Sequence, residues 1–510
     1  MKWGPSRMKP RPSPMKLPIG FTARVHDDVR TLDRGRVLVG GSPLRVVRLS
    51  PRAEAMLGNR EVRVTDAASA ILADRLMDAN IAVPVLRPGD RADVTDLTVI
   101  VPVRDRIEQL NRTLTGLSDL KVIVVDDASR DACAIAGVAR THGAEIIRLG
   151  NNVGPAAARN AGLARVSTPY VAFVDSDVQV GAGTLLSLTA HFADPRVALV
   201  GPHVRGQAVN IRPRWFERYE ERSPALGLGD RASVVRPGAA VAWLPSACLV
   251  GRTERLLGIG GFDGRMRVGE DVDLVWRLVA AADRVRYDPA CEARHDARPT
   301  LAAWMARKFI YGTGGAALAE RHPGNVVTAI LSPSMGVAAL ALLARRPWSV
   351  PVALAGTARG VQVLLRALPS AAGSRGLAAR LSLRGLGWAL RQESALVLRH
   401  WWPAAFCAAL VSRRARRVIV SAMAVDLVVG AREVRGRNPF ATFAGRRLDD
   451  CAYGTGLWGG ALRSRSLRCL KLRVIGERRA WRRSPQQACR ADGEPVKVGK
   501  VAASAGLSSF

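Results

Sequence analysis

Between residues 97 and 201 the chain alternates short β-branched runs with helical stretches, and this alternation restricts the fold more than any other feature. The runs at 97–101, 122–125, 145–149, 170–174 and 198–201 are apolar and strand-length, with a helix expected at 107–117 between the first two. Runs of this kind are buried on both faces, as in parallel sheets. The pattern predicts an α/β fold built on an open sheet, with ligand at the carboxyl ends of the strands.

Acidic residues stand where those strands end. Asp175-Ser176-Asp177 closes the run at 170–174. Two carboxylates two positions apart can both turn toward a hard divalent cation there, because the up-down alternation of side chains relaxes as the chain leaves the sheet. Asp177 is the expected direct ligand, with Asp175 holding a ribose or a metal-bound water. Asp126-Asp127, followed by Ser129, ends the run at 122–125 and offers acceptors to a uracil imide and ribose hydroxyls; the alternative is a helix N-cap. In the segment 151–162, Gly154-Pro155 opens a helix whose small face permits close approach to a sheet. Its N-terminal amides, with Arg159 and Asn160 nearby, can face a diphosphate. The alternative is that Arg159 simply pairs with Asp127 or Asp175.

Glu270-Asp271 opens a further helix after Gly269, where helix-end amides stabilise anions. The pair is either a cap or a catalytic group. In the second case Asp271 is the general base that removes the proton of an acceptor hydroxyl while that oxygen attacks an anomeric carbon from the opposite face, and Glu270 orients the acceptor. His295 either completes a metal shell or is structural. A divalent metal, Mn2+ or Mg2+, held by Asp175, Asp177 and His295 would act as a Lewis acid on a departing nucleoside diphosphate. Together these groups predict a metal-assisted nucleotide-sugar transferase.

At 510 residues the chain is long enough for two to four structural units. Residues 1–16 form a basic, Pro-rich lead expected to be disordered, without the apolar core of a secretory signal, so the catalytic part is expected on the cytoplasmic side. Residues 17–93 predict a small α+β, winged-helix-like domain. It has a hairpin turning at 40–43, a helix opened by Ser50-Pro51, and a second helix opened at 65–68 with Ile71, Leu72 and Leu76 on one face. The α/β unit takes 95–300, a helical membrane-associated region 301–483, and a tail expected to be disordered 484–510.

The net charge of +33 does not indicate a nucleic-acid partner: the Arg residues are dispersed and aromatic content is 5%, with no base-stacking pattern. The denser clusters, Arg345-Arg346, Arg413-Arg414 with Arg416-Arg417, and Arg478-Arg479 with Arg482-Arg483, flank apolar runs and predict contact with an anionic membrane surface. Residues 326–344 carry no charge and are a candidate span; 350–358, 395–411 and 418–430 read as re-entrant or interfacial helices, or as buried helices of a soluble domain. Seven Cys without a CxxC pair fit a reducing compartment.

The succession Pro102, Asp126-Asp127, Gly154 to Gly162, Asp175-Ser176-Asp177, Gly260-Gly261-Phe262 and Glu270-Asp271 resembles the GT-A glycosyltransferases of the large inverting second family. The resemblance implies a Rossmann-like nucleotide-sugar-binding domain, uridine contacts at Asp105 and Asp127, diphosphate and metal contacts at Asp175 and Asp177, and the base role for Asp271. Residues 304–308, Trp-Met-Ala-Arg-Lys, stand where processive synthases of that family carry Gln-x-x-Arg-Trp, a departure that speaks against extrusion of a long polymer.

The segments at 17–21, 40–45 and 449–458 look like those of the glycosyltransferases of actinobacterial mycofactocin clusters. That narrower likeness spans nearly the whole chain. It implies transfer from UDP-glucose to the peptide-derived cofactor premycofactocin or its glycosylated forms, building a short β-1,4-glucan at the cell membrane. It also implies a first domain similar to peptide-recognition domains, holding the acceptor or another protein of the pathway. Two rivals stay open: a polyprenyl phosphate or envelope glycolipid as acceptor, and a non-catalytic scaffold that binds peptide and senses nucleotide sugar.

Overall fold

The computed structural model describes residues 16–370, 373–433, 439–475 and 498–500. The expectations of disorder for the lead and the tail therefore lie outside the described residues, apart from Lys16 and 498–500.

The first unit contains β1 (Thr22–Val25), β2 (Arg30–Leu32), β3 (Val37–Gly40), β4 (Arg45–Arg48), β5 (Glu61–Arg63) and β6 (Ala82–Pro84). β3 and β4 form the expected antiparallel hairpin, in register from Val37↔Arg48 to Gly40↔Arg45. Ser50 Oγ accepts from the Ala53 amide at 3.2 Å and Pro51 takes the first helical position, which starts the helix Pro51–Met56. Asp66 and Ser69 close a capping box at the head of Ala67–Asp78. That helix buries Ala70, Leu72, Ala73, Leu76 and Met77 and exposes Ile71, because the buried stripe follows the i, i+3, i+4, i+7 pattern and Ile71 falls off it. The unit thus has two helices over two small sheets.

It is fastened to the α/β unit by buried polar contacts. Asn80 donates to the carbonyls of Ser42 and Val234, each at 3.1 Å, and accepts from the Val234 amide at 2.6 Å. Arg284, itself buried, joins Asp74 and Asp78 of the first unit to Asp194 of the second.

The second unit holds β7 (Leu97–Val103), β8 (Lys121–Asp126), β9 (Glu145–Arg148), β10 (Tyr170–Val174), β11 (Val178–Gln179), β12 (Val197–Gln207), β13 (Ser233–Val235), β14 (Cys248–Arg252) and β15 (Arg284–Asp296). They make one sheet in the order β11-β15-β12-β14-β10-β7-β8-β9, with β13 also on β15. β10, β7, β8 and β9 run parallel, while β14 is antiparallel to both β10 and β12, so the sheet is mixed. Both faces are covered: Ile100, Ile123, Val125 and Phe173 belong to one apolar cluster, and Val99, Val101, Val124 and Val174 to the other. This is the GT-A architecture, and the carboxyl ends of β7, β8 and β10 open on one cavity.

From Leu301 the chain is mainly helical: Leu301–Arg321, Pro333–Ala344, Ser349–Leu365, Ser374–Ala395, a π-turn at Leu396–His400, Trp402–Val411, Arg413–Glu433 and Pro439–Arg463. The uncharged run at 326–344 is not one helix. Ile330–Leu331 (β16) pairs with Arg473–Val474 (β17), and the helix begins only at Pro333, whose missing N–H suits a first turn. Among the described residues no single helix is long and apolar enough to cross a membrane. Only the pair Ser374–His400 and Trp402–Val411, bent by 86°, meets the length and composition criteria together. Residues Val498–Lys500 (β18) extend the hairpin by pairing antiparallel with β4, where the sequence predicts no element.

The helices Leu301–Arg321 and Pro439–Arg463 cross at glycines. A Cβ on Gly312 would strike the Tyr453 carbonyl oxygen, and one on Gly456 would strike that of Phe309. Side-chain size at these two positions is therefore limited to hydrogen.

Candidate active site

The strand ends and the helical region share a cavity of ≈ 900 Å³. Asp127, at the end of β8, lines it, but both of its carboxylate oxygens already accept backbone amides, from Val153 at 2.8 Å and Gly154 at 2.9 Å. It thereby fixes the loop that starts the helix Pro155–Leu163. Ala156, Ala158 and Gly162 are buried on that helix, the close-packing face that the sequence predicts. Pro102 and Gly154 line the cavity beside Asp127.

Arg159 emerges from the same helix, buried, with its guanidinium 5.3 Å from the Phe262 ring centroid. Nη2 donates to Asp175 Oδ1 at 2.5 Å and Nη1 to Glu270 Oε1 at 3.0 Å. One side chain thus ties the end of β10 to the start of the helix Glu270–Ala280. Burial works against its charge, but Asp175 and Glu270 raise its pKa above the ordinary arginine value.

The helix Glu270–Ala280 begins where it does because Gly269 adopts φ 81°, and a Cβ there would also press on Leu318 at 2.9 Å. Its acidic residues divide the work. Asp273 is fully buried and accepts from Arg277, Arg321 and His322 at 2.7, 2.9 and 2.9 Å, latching the helix Leu301–Arg321 onto the α/β unit. Glu270 and Asp271 line the cavity. Asp271 accepts from the Ser246 amide at 3.2 Å and from its own neighbour's amide, Val272, at 2.8 Å. Burial and the adjacent Glu270 carboxylate push its pKa up to about 7, against those hydrogen bonds and Arg159.

Asp177 is buried and nearly enclosed by cations. Arg106 contacts Oδ2, Arg298 Nη2 lies 3.2 Å from it and His295 Nε2 3.6 Å. Burial alone would raise its carboxyl; His295, Arg106, Arg298 and Arg307 hold it well below the usual carboxylate range. His295 itself is lowered by burial, with Asp177 pulling the other way. Asp175, Asp177 and His295 all line the cavity, yet among the described residues no three His, Cys, Asp or Glu side chains stand grouped at metal-ligating spacing. In donor type, two carboxylates and an imidazole suit Mn2+. The cation position at Asp177 is taken by the guanidinium groups.

Three residues singled out in the sequence stand outside the cavity lining. Asp126 is buried behind it, accepting from the Ser129 amide at 2.8 Å and Arg148 at 2.7 Å; it closes a turn, and the helix N-cap offered as the alternative is supplied by Asp131 instead, which accepts from the Ala134 amide at 2.9 Å. Asn160 clasps Phe262, accepting from its amide at 2.9 Å and donating to its carbonyl at 2.7 Å. Asp105 accepts from the Arg130 amide at 2.7 Å on the loop after β7. Conversely, Arg106 and Ser246 belong to the site without a prior signal, and Arg307 does so although the sequence marked its segment only as a departure from a family motif. Arg307 lies in the 304–308 segment, donates to the Tyr311 hydroxyl at 3.1 Å and faces the Asp175/Asp177 pair. Trp304, in the same segment, is a buried strut that donates to Glu220 at 2.8 Å.

The arrangement supplies a raised carboxyl facing the space shared by a carboxylate pair, a helix-opening loop and a buried arginine. It can accept a proton from a nucleophile while anionic groups are held at the strand ends.

Residues 98–236 match the family described as glycosyl transferase family 2, and residues 170–420 the one described as glycosyl transferase family group 2. The chain is 40% identical over 476 residues to the pre-mycofactocin glycosyltransferase of Mycobacterium tuberculosis, covering 90% of this chain and 99% of that protein. It is 27% identical over 260 residues to the N-acetylglucosaminyl-diphospho-decaprenol L-rhamnosyltransferase of the same organism, covering 42% of this chain and 81% of that one. Among solved structures, a mannosyltransferase from Pyrobaculum calidifontis in complex with GDP-Man and Mn2+ aligns at 20% identity and a TM-score of 0.41, over 73% of this chain and 90% of that one.

Proposed function

The chain belongs to glycosyl transferase family 2, with the pre-mycofactocin glycosyltransferases as its kin there, and from that premise we propose that it transfers glucose from UDP-glucose to premycofactocin. Successive transfers build a short β-1,4-glucan on the acceptor. The observation that carries the mechanism is Asp271: its carboxyl faces the cavity also lined by Asp127, Asp175 and Asp177, and is pushed up to about 7. A base is most effective when its pKa lies near the working pH. Asp271 takes the proton of the acceptor hydroxyl as that oxygen attacks the anomeric carbon from the face opposite the diphosphate, so the configuration inverts. Arg159, tied to both Asp175 and Glu270, keeps the donor end and the base end at a set spacing.

Asp175, Asp177 and His295 would hold a divalent cation, Mn2+ or Mg2+, which when bound supplies Lewis-acid stabilisation to the leaving diphosphate. For the cation to reach Asp177, Arg106 has to give up its contact with Oδ2.

Membrane association at the cytoplasmic face is part of the same reading. It is supported by the helix Trp402–Val411, which buries no residue and exposes Phe406, Leu410 and Val411, directly before Arg413, Arg414, Arg416 and Arg417. The test is incubation of the full chain with premycofactocin and, in parallel, UDP-glucose, UDP-galactose or GDP-mannose, read by mass spectrometry. Hexose increments on premycofactocin from UDP-glucose are expected. Transfer only to a polyprenyl phosphate, or none with UDP bound, would replace this reading with the lipid-acceptor or the scaffold alternative.

A further inference from the structure

Beyond the end of β10, three guanidinium groups surround one buried carboxylate. Arg106 contacts Asp177 Oδ2, Arg298 Nη2 stands 3.2 Å from the same oxygen, and the charge of Arg307 also acts on it. The second carboxylate, Asp175, already shares Arg159 with Glu270. A free divalent cation approaching Asp177 therefore meets an excess of like charge in a weakly screened space, whereas an anion is drawn in.

The three arginines are not equally held. Arg307 donates to the Tyr311 hydroxyl at 3.1 Å, and its guanidinium lies 5.1 Å from the centre of that ring. Arg298 stands outside the cavity lining, with 18% of its side chain exposed. Arg106 lines the cavity with 30% of its side chain exposed, and Asp177 is its one side-chain hydrogen-bond or ion-pair partner among the described residues. Its backbone, by contrast, is fixed. The preceding Asp105 amide donates to Ser129 Oγ at 3.0 Å, and the Arg106 carbonyl accepts from the Leu110 amide at 3.0 Å where the helix Ile107–Thr115 begins. The Arg106 side chain caps nothing in that helix, so a change of rotamer moves it between Asp177 and the open cavity without disturbing the main chain.

We propose that Arg106 gates the metal position: it keeps Asp177 closed to a free divalent cation until the diphosphate of a nucleotide has entered, then leaves Asp177 for that anion, so that nucleotide binds before metal. The gate rests on the transferase reading above, which assigns a divalent cation to Asp175, Asp177 and His295. A diphosphate carries the negative charge that offsets the arginine cluster, and it gives Arg106 an alternative partner in the same cavity. Both effects favour the conformation in which Asp177 is free, which couples the two ligands through one side chain.

Two titrations of the full chain test the order. One follows Mn2+ by the electron paramagnetic resonance of the free ion, with and without UDP; the other follows UDP in EDTA by calorimetry. Wild type should bind UDP in EDTA and bind Mn2+ alone weakly. In saturating UDP its Mn2+ affinity should rise by about ten-fold or more, after subtraction of the Mn2+ held by UDP in a protein-free control. Arg106→Gln should move the two affinities in opposite directions: Mn2+ alone tighter by about ten-fold, as removal of one nearby positive charge implies, and UDP in EDTA weaker. A variant that had merely lost structure would weaken both. Arg106→Lys, which keeps the charge, should bind Mn2+ alone as wild type does. Mn2+ affinity unchanged or lowered in folded Arg106→Gln, no UDP binding in EDTA, or Mn2+ bound as tightly alone as with UDP would each overturn the gate. The wild-type arms carry the test if Arg106→Gln fails to fold, as judged by its thermal transition. Failure of the metal reading itself looks different: Mn2+ would stay free even in saturating UDP, in wild type and Arg106→Gln alike, and the gate would fall with it.

Discussion

Arg159 and Glu270, 111 positions apart in the chain, meet at 3.0 Å in the interior, and the same guanidinium reaches Asp175 on its other side. A cation so placed neutralises two carboxylates that would otherwise repel each other across a poorly hydrated space. Replacing it with a neutral side chain leaves the buried Glu270 and the half-buried Asp175 without their shared cation, a loss of about 3 kcal/mol, the low end for a buried pair broken on one side. Arg159→Met should therefore lower the melting temperature sharply, and Arg159→Lys should rescue it only in part, because one ammonium cannot span both carboxylates. Thermal unfolding of the two variants checks this; equal stability of Met and wild type would contradict it.

Asp271→Asn should reduce transfer by about 10²–10⁴-fold, the usual contribution of a positioned base, with UDP affinity retained. Quenched-time-point UDP release and a UDP titration give the two numbers. Loss of UDP affinity in step with activity would mean the residue binds rather than acts.

The pH dependence follows from the same group. The wild-type rate should rise as pH passes through about 7, where Asp271 ionises. Its folded pKa lies above the ordinary 3.8, so its contribution to stability is full below that value and is lost as pH rises through about 7. Asp271→Asn should accordingly gain thermal stability over wild type at pH 8 and little at pH 4. Melting curves at both values test the sign.

Chelation should abolish transfer, and Mn2+ or Mg2+ should restore it. Asp177→Asn should weaken Mn2+ binding by about ten-fold or more, as loss of a charged ligand does, measured on the protein by electron paramagnetic resonance of free Mn2+. Full turnover in excess EDTA would remove the metal from the mechanism.

Vesicles containing phosphatidylglycerol should retain the chain at low salt and release it as salt rises. Changing Arg413, Arg414, Arg416 and Arg417 to Ser should cut retention by an order of magnitude or more, given about 1 kcal/mol per basic residue near an anionic surface. Flotation assays resolve this directly.

Much of the catalytic unit was legible in the sequence because strands buried on both faces announce themselves: 97–101, 122–125 and 170–174 all became neighbours in the sheet. The acids at their ends followed from the geometry of strand termini. Direction was harder. Nothing in Cys248–Arg252 distinguishes a strand that runs against β10 from one that runs with it, since both need the same apolar residues. The cations around Asp177 stayed hidden because Arg106 and Arg298 sit in irregular chain, and a chain so rich in arginine gives no one of them prominence. The run at 326–344 misled for a different reason: hydropathy counts side chains, whereas the chain's path here is decided by backbone pairing of Ile330 with Arg473 and by Pro333. Asp126 shows the limit of motif reading, since a carboxylate that caps a turn and one that meets a ligand have the same sequence neighbours.

The glycine seam between Leu301–Arg321 and Pro439–Arg463 has a mechanical corollary. At Gly312 and Gly456 backbone rests directly on backbone, so the spacing of the helix that carries Arg307 from the helix that carries Asp449 and Asp450 is set there by the main chain. A larger residue at either glycine would therefore push the helices apart and widen the cavity they both line, whichever side chains face it.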